Sequence, residues 1–215
     1  MTETIKLRPA TAMDLQAVSD LLQDAGLPID DLKSELLHEF VVAGAQGGGL
    51  VGAIGLQRFG ETALLRSLVT DVATRGKGLG TRLLQALEDR ARASGIRELW
   101  LLTIDADGFF ARHKYSAENR AEAPESVAGT TEFSTLCPAT AHLMRKRLEN
   151  PAAVRPTAQS GKLLIGRARA GRRGKPTLGG TATAPFDAMG RRGLRAAERQ
   201  IACCRVQPGA LQSPL

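Results

Sequence analysis

Arg75-Gly76-Lys77-Gly78-Leu79-Gly80 is the stretch of this 215-residue chain that decides its fold. It follows an apolar run that ends at Thr70 and precedes a helical pattern over residues 79–93, which predicts a strand, a glycine-rich turn and a helix. The first turn of a helix leaves backbone N–H groups without partners, and the helix dipole adds positive charge there. Glycines let that backbone approach a ligand closely. We therefore predict that this turn binds an anion such as a pyrophosphate.

Two common phosphate-binding motifs do not fit the spacing of this turn. A Walker loop requires Ser or Thr after its Gly-Lys pair, and here Gly78 follows Lys77. The dinucleotide fingerprint G-x-G-x-x-G has a wider spacing than Gly76, Gly78 and Gly80. Arg75, Gly78 and Gly80 instead match the pattern Arg/Gln-x-x-Gly-x-Gly/Ala. The segment therefore resembles the acetyl-CoA pyrophosphate loop of the GCN5-related N-acetyltransferase (GNAT) superfamily.

The resemblance to the GNAT superfamily covers about residues 4–148 and implies one α/β (α+β) domain. The implied fold is a mixed, mostly antiparallel sheet with helices on both faces. Acetyl-CoA is the implied co-substrate, and its acetyl group would pass directly to an acceptor amine, as in an N-acetyltransferase. The resemblance implies that acetyl-CoA is bound by residues of the strand end and of the turn. These residues are Leu68, Val69, Thr70, Arg75, Gly76, Lys77, Gly78, Leu79, Gly80 and Thr81.

Hydrophobic patterns predict the element order β-α-α-β-β-β-α-β-α-β, which is also the order of the superfamily. Residues 99–104 are apolar without alternation, as expected of a central strand covered on both faces. This order favours a mixed sheet with helices on both faces.

The first forty residues carry several helix signals. Thr11 and Asp14 form the pattern of a capping box before the first helix, and Gly26 is a suitable C-terminal stop. Pro28 predicts the start of a second short helix, with Asp31 in its first turn.

The basic charge of the chain is confined to its C-terminal part. Residues 1–150 hold 17 Lys or Arg and 20 Asp or Glu, a net charge of −3, whereas residues 151–215 carry a net charge of +10. We predict a GNAT-like domain over residues 1–148 and a basic, low-complexity and disordered tail over residues 149–215. A mildly acidic domain gives no reason to expect nucleic acid as a partner, except through the tail.

Cysteine usage and hydropathy favour a cytoplasmic protein. The three cysteines, Cys137, Cys203 and Cys204, form neither a disulfide framework nor a zinc-binding spacing. The N-terminus lacks the apolar region of a signal peptide, and no apolar run approaches transmembrane length, so we expect no membrane contact and no metal. The oligomeric state, including a homodimer, is left open.

Arg66 is the most conspicuous candidate for a catalytic site, because it interrupts an apolar strand. A charged side chain there must be paired or functional. Its bidentate fork suits an acceptor carboxylate, and the alternative is an ion pair with Glu39, Glu61 or Glu132. The candidate catalytic residues are therefore Arg66, Glu132 and Glu39. The general base is left open, since Glu61, Asp105 or a water chain could also serve.

The chain departs from the superfamily pattern after the central strand. The superfamily often uses the Tyr of a Phe-Tyr pair as the acid for the leaving thiolate, and the pair here is Phe109-Phe110. Tyr115 is expected to pack in the core. His113 could be a base or a surface side chain. Lys114 stands where Gly is common, and a bulky residue there would strain a left-handed turn.

Three later segments resemble the bacterial arsenic-resistance acetyltransferases, a subgroup of the superfamily. They are Arg120-Ala121-Glu122-Ala123-Pro124, Thr131-Glu132-Phe133 and Leu136-Cys137-Pro138. This resemblance implies an amine-bearing small molecule, such as an organoarsenical amino acid, whose carboxylate Arg66 could hold. Cys137 is either an arsenic ligand or, because one thiol is a poor site for arsenic, a buried packing residue.

Two other functions remain open at this point. One is the acetylation of a protein N-terminus or lysine, and the other is a catalytically weak acetyl-CoA-binding sensor, which the missing Tyr allows.

Overall fold

The sheet of the computed structural model has seven strands within residues 4–149, the part of the chain that the structure describes. The strands are β1 (Lys6–Pro9), β2 (Phe40–Gly44), β3 (Leu50–Phe59), β4 (Thr62–Thr70), β5 (Glu98–Thr103), β6 (Ser116–Glu118) and β7 (His142–Arg147). The helices are α1 (Leu15–Asp24), α2 (Leu79–Ala93), α3 (Asp107–Arg112) and α4 (Glu125–Ala128).

The strand order is β1-β2-β3-β4-β5-β7-β6, in which β4 and β5 are parallel and the other neighbours are antiparallel. Helices α2 and α3 pack on one face with the largest apolar cluster, whereas α1 packs on the other face. The expected fold, a single GNAT-like domain with a mixed sheet between helices, is confirmed. No helix among residues 4–149 is long and apolar enough to cross a membrane. The predicted tail lies outside the described residues, apart from residue 149, and the domain boundaries stay predictions.

The capping box before α1 forms as the sequence predicts. Asp14 accepts hydrogen bonds from the Thr11 amide at 2.8 Å and the Thr11 hydroxyl at 3.0 Å. Arg8 of β1 adds two hydrogen bonds to the same carboxylate, at 2.8 and 2.7 Å. These hydrogen bonds, with that to Arg8 the strongest, hold the pKa of Asp14 well below its ordinary value. The cap therefore ties the start of α1 to the edge strand.

The structure differs from the sequence prediction at two elements. The predicted helix after Pro28 does not form, and residues 27–33 are an irregular segment followed by a 3₁₀ helix, Ser34–Glu39. The Asp31 side chain, which would have lain in the first turn of that helix, instead reaches Arg66 on β4. Strand β6 was also missed, because its three residues owe their conformation to pairing with β7.

Strand β4 contains an extra residue that opens the sheet. Ala53 pairs with Val69 and Gly55 pairs with Arg66, so β4 has one more residue than β3 in this interval. Ser67 takes up the extra residue with a φ of +58°, the left-handed conformation of a bulge. On the other side, the ladder between β4 and β5 ends at Leu64, although β4 continues to Thr70. The two strands therefore diverge beyond the bulge.

Close packing constrains the pairing of β3 with β2 at Gly55, the residue that pairs with Arg66 on its other side. Gly55 lies under the buried ring of Phe40, and a Cβ at Gly55 would lie 2.2 Å from that ring. Only glycine leaves room for the ring, which anchors β2 to the apolar cluster around α1.

We predict that Gly55→Ala lowers the free energy of unfolding by about 2–3 kcal/mol, because the new methyl group collides with a ring that cannot move away. Urea unfolding measures the effect, and Phe40→Leu in the Gly55→Ala background should recover part of the loss. The control is Gly49→Ala, since Gly49 has no atom within 4 Å of the added Cβ. Equal costs for the two alanine variants would contradict this account.

Candidate active site

The glycine-rich turn forms between β4 and α2 at the position that the sequence predicts. Gly76 has a φ of +74° and Gly78 has a φ of +76°, a conformation that L-residues rarely adopt. Gly78 is the N-cap of α2, and no atom lies within 4 Å of the place where its Cβ would stand. The turn is therefore open on the side that a ligand would approach.

The backbone amides of this turn remain available. The amides of residues 76–81 donate to no backbone carbonyl of the described residues, and the first helical bond runs from the Arg82 amide to the Gly78 carbonyl at 3.1 Å. Six consecutive N–H groups with the positive end of a 15-residue helix behind them form an anion-binding concavity.

A cavity of about 110 Å³ lies in front of these amides. Two cationic side chains, Arg75 and Arg112, belong to its wall, one from each side. Thr81 Oγ1 lies 3.2 Å from His113 Nε2, so a hydrogen bond joins the start of α2 to the end of α3. Burial lowers the pKa of His113, which favours the neutral ring in the absence of a ligand. The cavity therefore offers positive charge and N–H donors to an anion.

The strand end that leads into this cavity has one side open. Val69 and Thr70 pair with β3 on one side, at Ala53 and Gly52, whereas the ladder to β5 has already ended. Leu68, Val69 and Thr70 are buried, with at most 7 % of their surface exposed. Beyond Leu64 the side of β4 that faces β5 thus has no strand pairing, and an extended chain bound in this gap would hydrogen-bond the backbone of β4 as a further strand does.

Arg66 lies on β4 just before the bulge and is 1 % exposed. Its Nη1 and Nη2 donate to the two carboxylate oxygens of Asp31 at 2.6 and 2.5 Å. Its Nε lies 3.3 Å from Glu132 Oε2 and 3.4 Å from Ser67 Oγ. One guanidinium therefore lies between two carboxylates, and Asp31, whose side chain is 18 % exposed, is the most solvent-accessible of the three groups.

Glu132 has the most perturbed acidity at this site. Burial raises its pKa to about 7, with Arg66 opposing the rise and Asp31 adding to it. Glu132 Oε2 makes no hydrogen bond to any described residue. A buried carboxylate with a pKa near neutrality, and with one oxygen that accepts no hydrogen bond from the described residues, can accept and release a proton.

Arg120 holds the segment that carries Glu132. This segment is a π-helical turn, Glu132–Leu136, a form that often occurs at functional sites. Arg120 donates to the Phe133 carbonyl at 2.8 Å, and its guanidinium lies 4.2 Å from the centre of the Phe133 ring. It also reaches the carbonyls of Pro138 and Ala141, at 3.4 and 3.5 Å. The segments that carry the arsenic-resistance resemblance thus fix the position of one carboxylate.

The other residues singled out in the sequence do not join this group. Glu39 pairs with His38, Arg58 and Arg90, at 3.5, 3.7 and 3.9 Å, so its catalytic role stays a prediction without support from this geometry. Glu61 pairs with Arg97 at 3.1 Å.

The aromatic and sulfur-bearing candidates lie in the apolar interior. Tyr115 is buried and donates to Glu88 Oε1 at 3.1 Å. Phe109 and Phe110 are buried beside it. Cys137 is buried in a separate apolar cluster with Trp100.

Asp31 is the residue of this site that the sequence analysis missed. A buried guanidinium has more N–H groups than one carboxylate can accept, so a second acidic partner could have been expected for Arg66. The sequence gives no signal for which of the acidic residues it is, because Asp31 comes from a segment 35 residues away.

A family model described as the acetyltransferase (GNAT) family matches residues 11–117 of this chain. The match spans the strand, the turn, α2 and α3, which together build the cavity described above. The chain therefore belongs to the GNAT acetyltransferase family, and acetyl-CoA is the co-substrate that this family uses. The amides of residues 76–81 and the cations beside them fit its diphosphate.

Solved structures share this fold. N-acetylglutamate synthase from Neisseria gonorrhoeae, complexed with coenzyme A and N-acetyl-glutamate, matches with 21 % identity and a TM-score of 0.60, over 68 % of this chain and 35 % of that chain. Rv2747 from Mycobacterium tuberculosis, in complex with CoA and NLQ, matches with 23 % identity and a TM-score of 0.58, over 67 % and 99 %. A GNAT-family acetyltransferase from Staphylococcus aureus Mu50 matches with 17 % identity and a TM-score of 0.55, over 68 % and 100 %.

These similarities concern the fold. This chain spans about a third of the length of the N-acetylglutamate synthase chain that it matches, and the sequence identities are low.

We predict that Gly78→Ala weakens the binding of acetyl-CoA about tenfold, because a Cβ disfavours the left-handed conformation that aims the amides at the cavity. Isothermal calorimetry measures the dissociation constant. Gly95→Ala is a matched control, since Gly95 follows the other end of α2 with a φ of +81° and has no atom within 4 Å of the added Cβ. Both variants should lose similar thermal stability, and equal affinities would contradict the role of the turn.

Proposed function

We propose that this protein is an acetyl-CoA-dependent N-acetyltransferase that transfers the acetyl group directly to the amine of a small molecule. The observation that carries the proposal is the row of available amides over residues 76–81, which adjoins the gap between β4 and β5. An anion site that lies next to an open strand edge suits a ligand in which a diphosphate is followed by an extended, amide-bearing arm. When bound, acetyl-CoA supplies an activated acetyl thioester.

The chain's own groups divide the work of binding and positioning. The turn amides, with Arg75, hold the diphosphate end in this proposal. The backbone of Leu68, Val69 and Thr70 orients the arm along β4 and offers N–H donors where negative charge develops during acyl transfer. The bulge at Ser67, with a φ of +58°, lies directly before these three residues, and a bulge bends the strand that contains it.

Glu132 is the proposed general base. An acceptor amine must be neutral to attack, and a carboxylate whose pKa is raised to about 7 can take its proton near neutral pH. Arg66 acts as a positioning residue, since it holds both Glu132 and Asp31 through its guanidinium. An ammonium group entering beside these two carboxylates would meet net negative charge, which favours a cationic acceptor over an anionic one.

The covering of β4 supports a small acceptor. Asp31 comes from the segment after α1, and Glu132 comes from the segment before β7, and both reach Arg66. Side chains from two segments therefore meet at Arg66, which leaves less room beside β4 for an extended peptide than for a small molecule in this proposal. The acetylation of a protein N-terminus or lysine is therefore less well supported than that of a small molecule.

A contact between Arg66 and a carboxylate of the acceptor is a further part of this proposal. Both terminal nitrogens of Arg66 are bonded to Asp31, so such a carboxylate would have to displace Asp31. An amino-acid-like acceptor could do this. The organoarsenical amino acids belong to that class, and their only support is the sequence resemblance around Arg120 and Glu132.

A thiol-release assay with a panel of amines tests the proposal. We expect the release of CoA thiol with at least one small amine, and the panel should include diamines, amino acids, organoarsenical amino acids and short peptides. Calorimetric binding of acetyl-CoA without thiol release from any amine would favour the sensor alternative. The absence of any heat with acetyl-CoA would overturn the proposed function.

We predict that kcat/KM of the wild-type enzyme rises with pH through about 7, because Glu132 must lose its proton to act as a base. Glu132→Gln should be at least about a hundredfold slower and should lose this step in its pH profile. Comparing the variants at each pH cancels the ionisation of the acceptor itself. Glu39→Gln is the matched control and should keep the wild-type profile.

Thermal melting of the same variants separates catalysis from folding. The pKa of Glu132 is higher in the folded chain than in the unfolded chain, so the folded state binds the extra proton between about pH 4.5 and 7. Its contribution to stability therefore falls as pH rises through that interval, and Glu132→Gln should not show this loss. A pH profile unchanged in Glu132→Gln would remove the proposed base.

A further inference from the structure

Lys114 adopts a backbone conformation that its residue type disfavours. Its φ is +67°, in the left-handed region, and the position follows α3 where a glycine would relieve the strain. Strained residues of this kind cluster at functional sites. The proposed function gives Lys114 no role so far.

The surroundings of Lys114 indicate what this side chain can bind. A second cavity, of about 580 Å³, is lined by Lys114 together with Arg112 and His113. Arg112 and His113 also line the cavity in front of the turn amides, so the two cavities are neighbours with a shared wall. A ligand whose diphosphate occupies the first cavity can therefore extend into the second.

The charge balance of the second cavity favours an anion. Within residues 4–149, neither Lys114 nor Arg112 has an ion-pair partner, and both are exposed. Glu88 is already neutralised, since Lys146 donates to both of its oxygens at 2.6 Å and Arg92 lies 3.2 Å away.

The two other carboxylates of this wall do not reverse that balance. Asp89 is bonded to Arg92 at 2.7 Å, which leaves Glu149, at the edge of the described residues, as the opposing charge. Arg112 and Lys114, two residues apart and without an ion-pair partner among the described residues, therefore share this cavity wall with one carboxylate that is not paired.

We propose that Lys114, together with Arg112, binds the 3′-phosphate of the acetyl-CoA ribose and so distinguishes acetyl-CoA from its dephospho form. This inference rests on the proposed function, because it takes acetyl-CoA as the ligand of the first cavity. A phosphate monoester is a dianion near neutral pH, and an ammonium and a guanidinium are suitable partners for it. The strain at Lys114 is then the cost of aiming a cation at this phosphate.

Calorimetry with CoA and dephospho-CoA tests the assignment without any catalytic assay. Wild-type protein should bind CoA about tenfold more tightly than dephospho-CoA, the difference expected of a charge-assisted contact. Lys114→Ala and Lys114→Gly should both reduce this ratio, with little change in the affinity for dephospho-CoA. Arg112→Gln should reduce it as well. Lys33→Gln, an exposed lysine outside both cavities, is the control and should leave the ratio unchanged.

The two Lys114 variants also separate charge from strain. Lys114→Gly removes both, so its Tm should rise by about 2–4 °C, whereas Lys114→Ala keeps the strained backbone and should gain little. A wild-type ratio near one, or a ratio unchanged in both Lys114 variants, would overturn the assignment and leave the proposed function standing. The absence of heat with either ligand would overturn both.

Discussion

The constraint on which this structure depends is that every buried or inward-facing backbone N–H needs an acceptor. Among the described residues, the amides of the turn over residues 76–81 leave that need unmet, and the turn follows the end of β4, whose ladder to β5 stops at Leu64. The left-handed glycines Gly76 and Gly78 shape this turn. The domain therefore keeps the donors of this turn available for a ligand.

The buried charges on the other side of β4 follow a second constraint. Arg66 cannot remain inside an apolar sheet without counter-charges, and the chain supplies Asp31 and Glu132 from segments on either side. Two negative charges around one positive charge would leave surplus negative charge, and burial opposes it by raising the pKa of Glu132 to about 7, which favours the neutral carboxyl group. The group that stabilises the arginine is thus also the one best able to exchange a proton near neutral pH.

Sequence reasoning found what local signals encode and missed what long-range contacts decide. The end of β4 at Thr70 and the bounds of α2 match the prediction because apolar periodicity and a glycine turn specify them. The family and its co-substrate followed from the same turn. The bulge at Ser67 was not predicted, because it exists only relative to the partner strand. The predicted helix after Pro28 is replaced by an irregular segment whose Asp31 binds Arg66 on β4, a contact over 35 residues that local signals do not encode.

The parting of β4 from β5 has a mechanical consequence. Within residues 4–149, the ladder between β4 and β5 has three residue pairs, from Thr62–Glu98 to Leu64–Trp100, and it joins the half of the sheet that contains β1–β4 to the half that contains β5–β7. The contact between Thr81 and His113 also joins the two halves, since α2 packs against β2, β3 and β4, whereas α3 packs against β6 and β7. A ligand bound between β4 and β5 would add contacts across this short ladder, so the domain with its ligand should resist mechanical separation of the two halves more strongly than the domain without it.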